Sequence, residues 1–240
     1  MTISEMHTAF KLELDKIDSL QYPSFTDNEI DWWLNQAIRK FVKTRYSGMN
    51  YKKEGFEQTQ KRIDDLRTLV REVTVPCTTS GAIKSIGTTA VVSYVLTSGF
   101  GNSVFDTDTY WLSLGEEVQI TPVGGSAIRQ GVTEVTSDEY RFEIDNPYSS
   151  FRLHYGCAKP LRLFYNNTIE FVTDGTYVVN NAYVRYIKAP AIVSLPAVAV
   201  NCDLPEHTHE EVVALCVQMA LENIEQPRLQ TYTQDVATME

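Results

Sequence analysis

The densest group of side chains able to do chemistry is Cys202, Asp203, Glu206, His207, His209 and Glu210. Thiolate, imidazole and carboxylate are the ligand types that hold zinc. Their spacing fits no zinc motif: His207 to Glu210 is not the HExxH pattern, and no second ligand group stands elsewhere at a recognisable distance. Leu204-Pro205-Glu206 reads instead as a helix start. Proline loses nothing in a first turn, and acid favours the positive end of a helix. Asp106-Thr107-Asp108 could open a calcium loop, but Trp111 stands where an EF-hand needs glycine, so a polar turn is expected. Gly124-Gly125-Ser126 lacks the lysine of a phosphate-binding loop. There is no Gly-x-Ser-x-Gly elbow, and neither His7 nor His154 has a flanking nucleophile pattern. Cys77, Cys157, Cys202 and Cys216 have no paired spacing and read as free thiols in a reducing compartment. Asn166-Asn167-Thr168 fits a glycosylation sequon, but no signal peptide is evident. These residues predict no catalytic centre, no metal and no cofactor.

Contact chemistry is better represented. Tyr46, Tyr51, Phe100, Phe105 and Tyr148 fall near expected turns, and aromatics are enriched where proteins meet proteins. Lys52-Lys53 and Lys61-Arg62 are small basic patches, suited to a solvated helix face or to an acidic partner. The net charge of −10 excludes tight wrapping of nucleic acid, which needs clustered cations, but allows a surface that nucleic acid slides past. No apolar run approaches the ~20 residues that span a bilayer.

The elements that must position these residues follow from periodicity. Thr26 to Glu29 is a capping box, with Phe25 and Ile30 at the spacing of a hydrophobic staple. Ile30, Trp33, Leu34, Ala37, Ile38, Phe41 and Val42 then form an apolar stripe. Asp31, Asn35, Gln36, Arg39, Lys40 and Lys43 lie opposite, and Gly48 ends the helix. Thr2 to Glu5 opens an earlier helix with Met6, Phe10, Leu14, Ile17 and Leu20 on one face, stopped at Tyr22-Pro23. A third helix is expected from about Lys52 to Glu72, with Lys61, Arg62, Asp64, Asp65 and Arg67 on its polar side. From Val75 to about Ala199 the composition predicts strands: Ala90–Leu96, Tyr110–Leu114, Glu117–Thr121, Arg129–Val135, Tyr140–Ile144, Phe151–Tyr155, Leu161–Tyr165, Thr168–Thr173 and Thr176–Ile187. Asn166-Asn167 and Asp174-Gly175 are expected hairpin turns. A last helix carries Val213, Cys216, Val217, Ala220, Leu221 and Ile224, widened by Val212, Leu215 and Met219, until Pro227. So wide a face implies burial on more than one side.

The expected fold is therefore α+β. An antiparallel helical bundle, three N-terminal helices plus one C-terminal helix, carries an inserted antiparallel β-sandwich or barrel. The expected divisions are 1–74, 75–200, 201–227 and a polar C-terminal arm at 228–240.

Met6-His7-Thr8-Ala9-Phe10, Asp31-Trp32-Trp33-Leu34-Asn35-Gln36-Ala37 and Thr59-Gln60-Lys61-Arg62-Ile63-Asp64-Asp65-Leu66 resemble virion ring proteins of crAss-like tailed bacteriophages. So do Tyr183-Val184-Arg185-Tyr186-Ile187-Lys188-Ala189-Pro190, Leu204-Pro205-Glu206-His207-Thr208-His209 and Gln226-Pro227-Arg228-Leu229-Gln230. The stretch from Cys77 to about Pro160 carries little of this resemblance. The layout is also similar to head–tail adaptors of the tail tubular protein A type. The resemblance implies a structural, non-enzymatic virion protein made in the host cytoplasm, with no membrane association. It implies a homo-oligomeric, twelve-fold ring beneath the portal protein that contacts other tail and ring proteins and passes genomic DNA through its lumen without specific binding. Expected contact residues are Trp32, Trp33, Lys61, Arg62, Arg228, Leu229 and Tyr232. The competing expectations are a trimeric tail or fibre-attachment protein that binds through its β module, and a hydrolase with a pocket near His154 or His207.

Overall fold

The computed structural model describes residues 1–17, 25–48, 55–80, 91–96, 109–165, 168–195 and 199–223. The chain divides into two compact units: Met1–Leu69 with Pro190–Glu240, and Val70–Ala189.

In the first unit the helix signals act as their chemistry requires. Helix α1 (Ile3–Ile17) opens on a reciprocal cap: the Glu5 carboxylate accepts from the Thr2 amide at 2.7 Å, and the Thr2 hydroxyl accepts from the Glu5 amide at 3.3 Å. Helix α2 (Asp27–Ser47) opens on the Thr26–Glu29 capping box and ends at Gly48, whose φ of 67° is the left-handed value that glycine adopts without strain. Phe25 packs edge to face on Phe10, with centroids 5.7 Å apart. Helix α5 (His209–Asn223) lies against both α2 and α1. Met6, Phe10, Ile30, Leu34, Ala37, Ile38 and Val42 are fully buried, as are Val212, Val213, Cys216, Val217, Ala220 and Leu221 on α5. Ile224 and Pro227 lie outside the described residues.

The expected third helix is much shorter. Helix α3 spans Gln60–Leu66, and by Val70 the chain is already in strand β1 (Val70–Thr79). Val70 and Val73 fit a helical face by spacing. Their backbone groups instead join a ladder with a distant strand, and tertiary pairing overrides a local period. Lys52 and Lys53 lie outside the described residues. Two side chains assigned to the polar side of α3, Arg62 and Asp65, are buried. So is Asp31 on α2, because its carboxylate is occupied by His7 at 2.8 Å and by the Leu195 amide at 3.1 Å.

Among the described residues the second unit is one barrel-like sheet of eight strands. After β1 come β2 (Val92–Leu96), β3 (Tyr110–Pro122), β4 (Ile128–Gly131), β5 (Thr133–Glu134), β6 (Leu161–Tyr165), β7 (Thr168–Thr173) and β8 (Tyr177–Lys188). Their spatial order is β4-β3-β8-β1-β2-β7-β6-β5. All pairs are antiparallel except β5 with β6. Strand β1 joins the two halves, pairing with β8 through Val70–Pro76 and with β2 through Cys77–Thr79. The two strands expected at Tyr110–Leu114 and Glu117–Thr121 are one strand, β3, broken only by register shifts such as that between Ser113 and Gly115. Val75, Val118, Ile120, Ile169, Phe171, Tyr177, Val179, Ala182 and Val184 belong to the main core.

Three further expectations are corrected. Tyr140–Asp145 is a helix, α4, although Tyr140, Phe142 and Ile144 alternate with polar residues. Thr136 holds the turn that leads into it, its hydroxyl donating to Glu139 Oε2 at 3.1 Å and accepting from the Glu139 amide at 3.4 Å. Phe151–Tyr155 is not a strand. Arg152 donates to the carbonyls of Ile144 and Asn146, and Tyr155 takes a left-handed φ of 51°. Asp174-Gly175 is a turn, with φ of 79° at Gly175, but not a hairpin. Strands β7 and β8 pair with different neighbours, so this turn carries the chain from one half of the sheet to the other. The turn expected at Asn166-Asn167 lies outside the described residues, although its flanks, Tyr165 and Thr168, are paired.

An ion-pair ladder crosses four adjacent strands. Arg185 on β8 bonds Glu72 on β1 at 2.6 Å and reaches Glu117 on β3 at 3.4 Å; Arg129 on β4 bonds Glu117 and also reaches Glu72 at 3.3 Å. Arg185 and Arg129 hold the Glu72 carboxyl below its usual range. A carboxyl lowered by folding contributes stability above its unfolded pKa and loses it as pH falls through the folded value. Glu72→Gln should cost less than about 1 kcal/mol at pH 7, because these groups are half exposed. That deficit should vanish at acidic pH, below the range where a free glutamate titrates; urea unfolding at pH 7 and pH 3 checks both.

Candidate functional site

The ligand-type side chains of residues 202–210 stand where the chain enters a helix. Residues Glu206–Thr208 form a 3-10 turn leading into α5. The imidazole of His209 is buried and its Nε2 bonds the Leu204 carbonyl at 3.0 Å, with burial lowering its pKa. His207 Nε2 lies 3.1 Å from Asp65. Among the described residues no group of His, Cys, Asp and Glu converges as metal ligands. Cys77, Cys157, Cys202 and Cys216 are free thiols. Burial pushes Cys77 up to about 12 and Cys202 up to about 11, which keeps both protonated and poor nucleophiles at neutral pH.

The helical unit instead contains a buried ionic junction. Arg45, in the last turn of α2, is 2% exposed, with its guanidinium 4.7 Å from the Phe41 ring centroid. Its Nε lies 3.0 Å from the fully buried carboxylate of Asp65 on α3, and its Nη2 bonds Glu211 on α5. Lys61 reaches the other oxygen of Glu211 at 3.2 Å. One guanidinium thus links three helices, two from the start of the chain and one from its end. Burial raises the Asp65 carboxyl above its usual range, with Arg45 pulling the other way. The carboxylate's ionised form therefore depends on its cation. A second clamp joins the same chain ends: the Asn35 amide donates to the Val193 carbonyl at 3.0 Å and accepts from the Val193 amide at 2.9 Å.

The outer face of α2 is polar and basic. Gln36, Arg39, Lys40, Lys43, Thr44 and Ser47 line a groove of about 390 Å³, with Met219 of α5 adding an apolar wall. Trp32, 55% exposed, lies one turn before Gln36 and packs edge to face on half-buried Trp33, with centroids 4.5 Å apart.

Of the expected contact residues, Trp32 is presented to solvent and Trp33 partly so. Lys61 is half exposed but tied to Glu211, and Arg62 is buried. Arg228, Leu229 and Tyr232 lie outside the described residues. Sequence reasoning missed Arg45, Asp65 and Glu211. Arg45 could have been found, because it falls four residues after Phe41 and seven after Ile38, on the apolar stripe itself.

A family model described as phage tail ring protein 3/4 matches residues 1–231. The chain belongs to this crAss-like phage tail ring family. No curated protein matches it. Membership makes the chain a structural component of the virion tail and implies oligomeric assembly with other tail components and a non-enzymatic role. No described helix of this ring protein is long and apolar enough to cross a membrane.

Removing one member of a buried pair leaves the other charge uncompensated and costs about 3–5 kcal/mol. Arg45→Met should destabilise the helical unit by that amount in urea unfolding. Adding Asp65→Asn should recover part of the loss, because the stranded carboxylate is then gone.

Proposed function

We propose that this ring protein is a head–tail adaptor: a dodecameric ring beneath the portal that continues the DNA channel into the tail. The family match over nearly the whole chain carries this reading. The net charge of −10 supports the channel role, because an acidic lumen repels phosphates and lets a duplex pass without sticking. In this reading helices α1, α2, α3 and α5 form the antiparallel bundle and make the ring and portal contacts. The sheet unit faces outward or toward the next tail component, and the arm at 228–240 reaches a neighbouring copy or the portal through Arg228, Leu229 and Tyr232. In this reading the chain is an adaptor of the tail tubular protein A type.

Native mass spectrometry and negative-stain imaging of the purified chain, alone and with the portal protein, test the proposal. The expected result is a twelve-fold ring that binds the portal. A trimer that binds fibre protein would favour the attachment reading instead. Deleting residues 228–240 should abolish ring or portal assembly while leaving the unfolding midpoint of the monomer unchanged; an unaltered assembly profile would count against the arm's role.

A further inference from the structure

A closed ring needs a heterologous contact, in which one surface of a subunit meets a different surface of the next. Two surfaces of this chain are opposite in charge. The first is the α2 groove. Arg39, Lys40 and Lys43 bring three positive charges to a chain that is acidic as a whole, and Arg39 and Lys40 are exposed with no ion pair among the described residues. Met219 gives the groove one apolar, adaptable wall.

The second surface is the segment around α4. Asp138, Glu139, Glu143 and Asp145 stand against Arg141 and Arg152, a local charge of −2 from four acids and two bases. Phe142 projects from this helix at 76% exposure and Tyr148 follows at 89%. Such exposure of large aromatic surface is costly in water and characteristic of interface anchors. The knob is also held in shape before any contact is made. Ile144 and Phe151 are fully buried beneath it, Thr136 bonds Glu139 in the turn that leads into the helix, and Ser149 bonds Glu143. Arg152 fastens the carbonyls of Ile144 and Asn146 at 2.9 and 3.1 Å. A preformed anchor loses little conformational entropy on docking.

We infer that the ring closes by seating the α4 knob of one copy in the α2 groove of the next, acid against base, with Phe142 on Met219 and Trp32 at the rim. This inference rests on the ring reading above. The groove suits this occupant better than a phosphate backbone. It combines three cations with an apolar wall and neutral Gln36, Thr44 and Ser47, which fit an aromatic side chain flanked by carboxylates.

Charge reversal in the full chain tests it. Arg39→Glu with Lys40→Glu alters the groove, and Asp138→Lys with Asp145→Lys alters the knob; these four side chains are exposed and hold no described bond. Each double variant should keep the wild-type circular dichroism and urea midpoint, yet require at least tenfold more protein to form the ring in native mass spectra. The chain carrying all four changes should recover assembly, and Phe142→Ala should weaken it alone. A ring that survives both double variants overturns the inference and leaves the ring reading standing. So does failure of the fourfold chain to recover, or a groove variant that keeps its ring but loses retardation by duplex DNA. A wild-type chain that stays monomeric alone and with the portal removes the ring reading itself.

Discussion

Everything in the helical unit depends on one constraint: two stretches of chain separated by the whole sheet must meet and stay in register. Hydrophobic burial supplies the attraction between α5 and its partners α1 and α2, but apolar contact alone does not specify register. The Arg45–Asp65–Glu211 junction does. A buried guanidinium and a fully buried carboxylate are tolerable only when they face each other, so a slip of one helix turn would strand both. The Asn35–Val193 and Asp31–Leu195 bonds add backbone partners on the returning segment that leads to α5. Together these contacts make the closure of the chain's ends specific as well as favourable.

The sheet unit solves a different problem. It must support exposed aromatics on short, irregular segments. Its main core and a smaller cluster around Ile144, Phe151, Leu161 and Val172 anchor the segment that carries Phe142 and Tyr148. The Tyr177 hydroxyl donates to the Phe151 carbonyl at 2.7 Å, tying that segment to β8. Buried Arg162 bonds Glu116 at 3.2 Å and Glu134, fastening β6 to β3 and to β5. The unit thus combines a regular ladder with a rigidly supported, solvent-facing irregular surface. A tail component that must bind neighbours through defined surfaces needs that combination.

How much of this was legible depended on whether the signal was local. The caps at Thr2 and Thr26, the stop at Gly48 and the stripes of α2 and α5 are local and read correctly. Strands β6 and β7 did too. What failed was set by distant partners. Val70 and Val73 fit a helix until β8 pairs with them, and Asp174-Gly175 resembles a hairpin until the sheet order separates its strands. Short alternation misled at Tyr140–Asp145, where the turn that Thr136 and Glu139 hold leads into a helix. The helix start expected at Leu204-Pro205-Glu206 was readable from its proline and its acids. The buried junction was only partly so. Arg45 lay on an apolar stripe, but nothing local announced Asp65 or Glu211 as its partners.

Native-state hydrogen exchange, followed residue by residue on the full chain, tests this closure most directly. If the two ends form one cooperative unit, the core amides of α2 and α5 should share a single opening free energy, and Arg45→Met should lower both together. Amides of α5 that exchange much faster than those of α2, or that ignore the loss of Arg45, would contradict it.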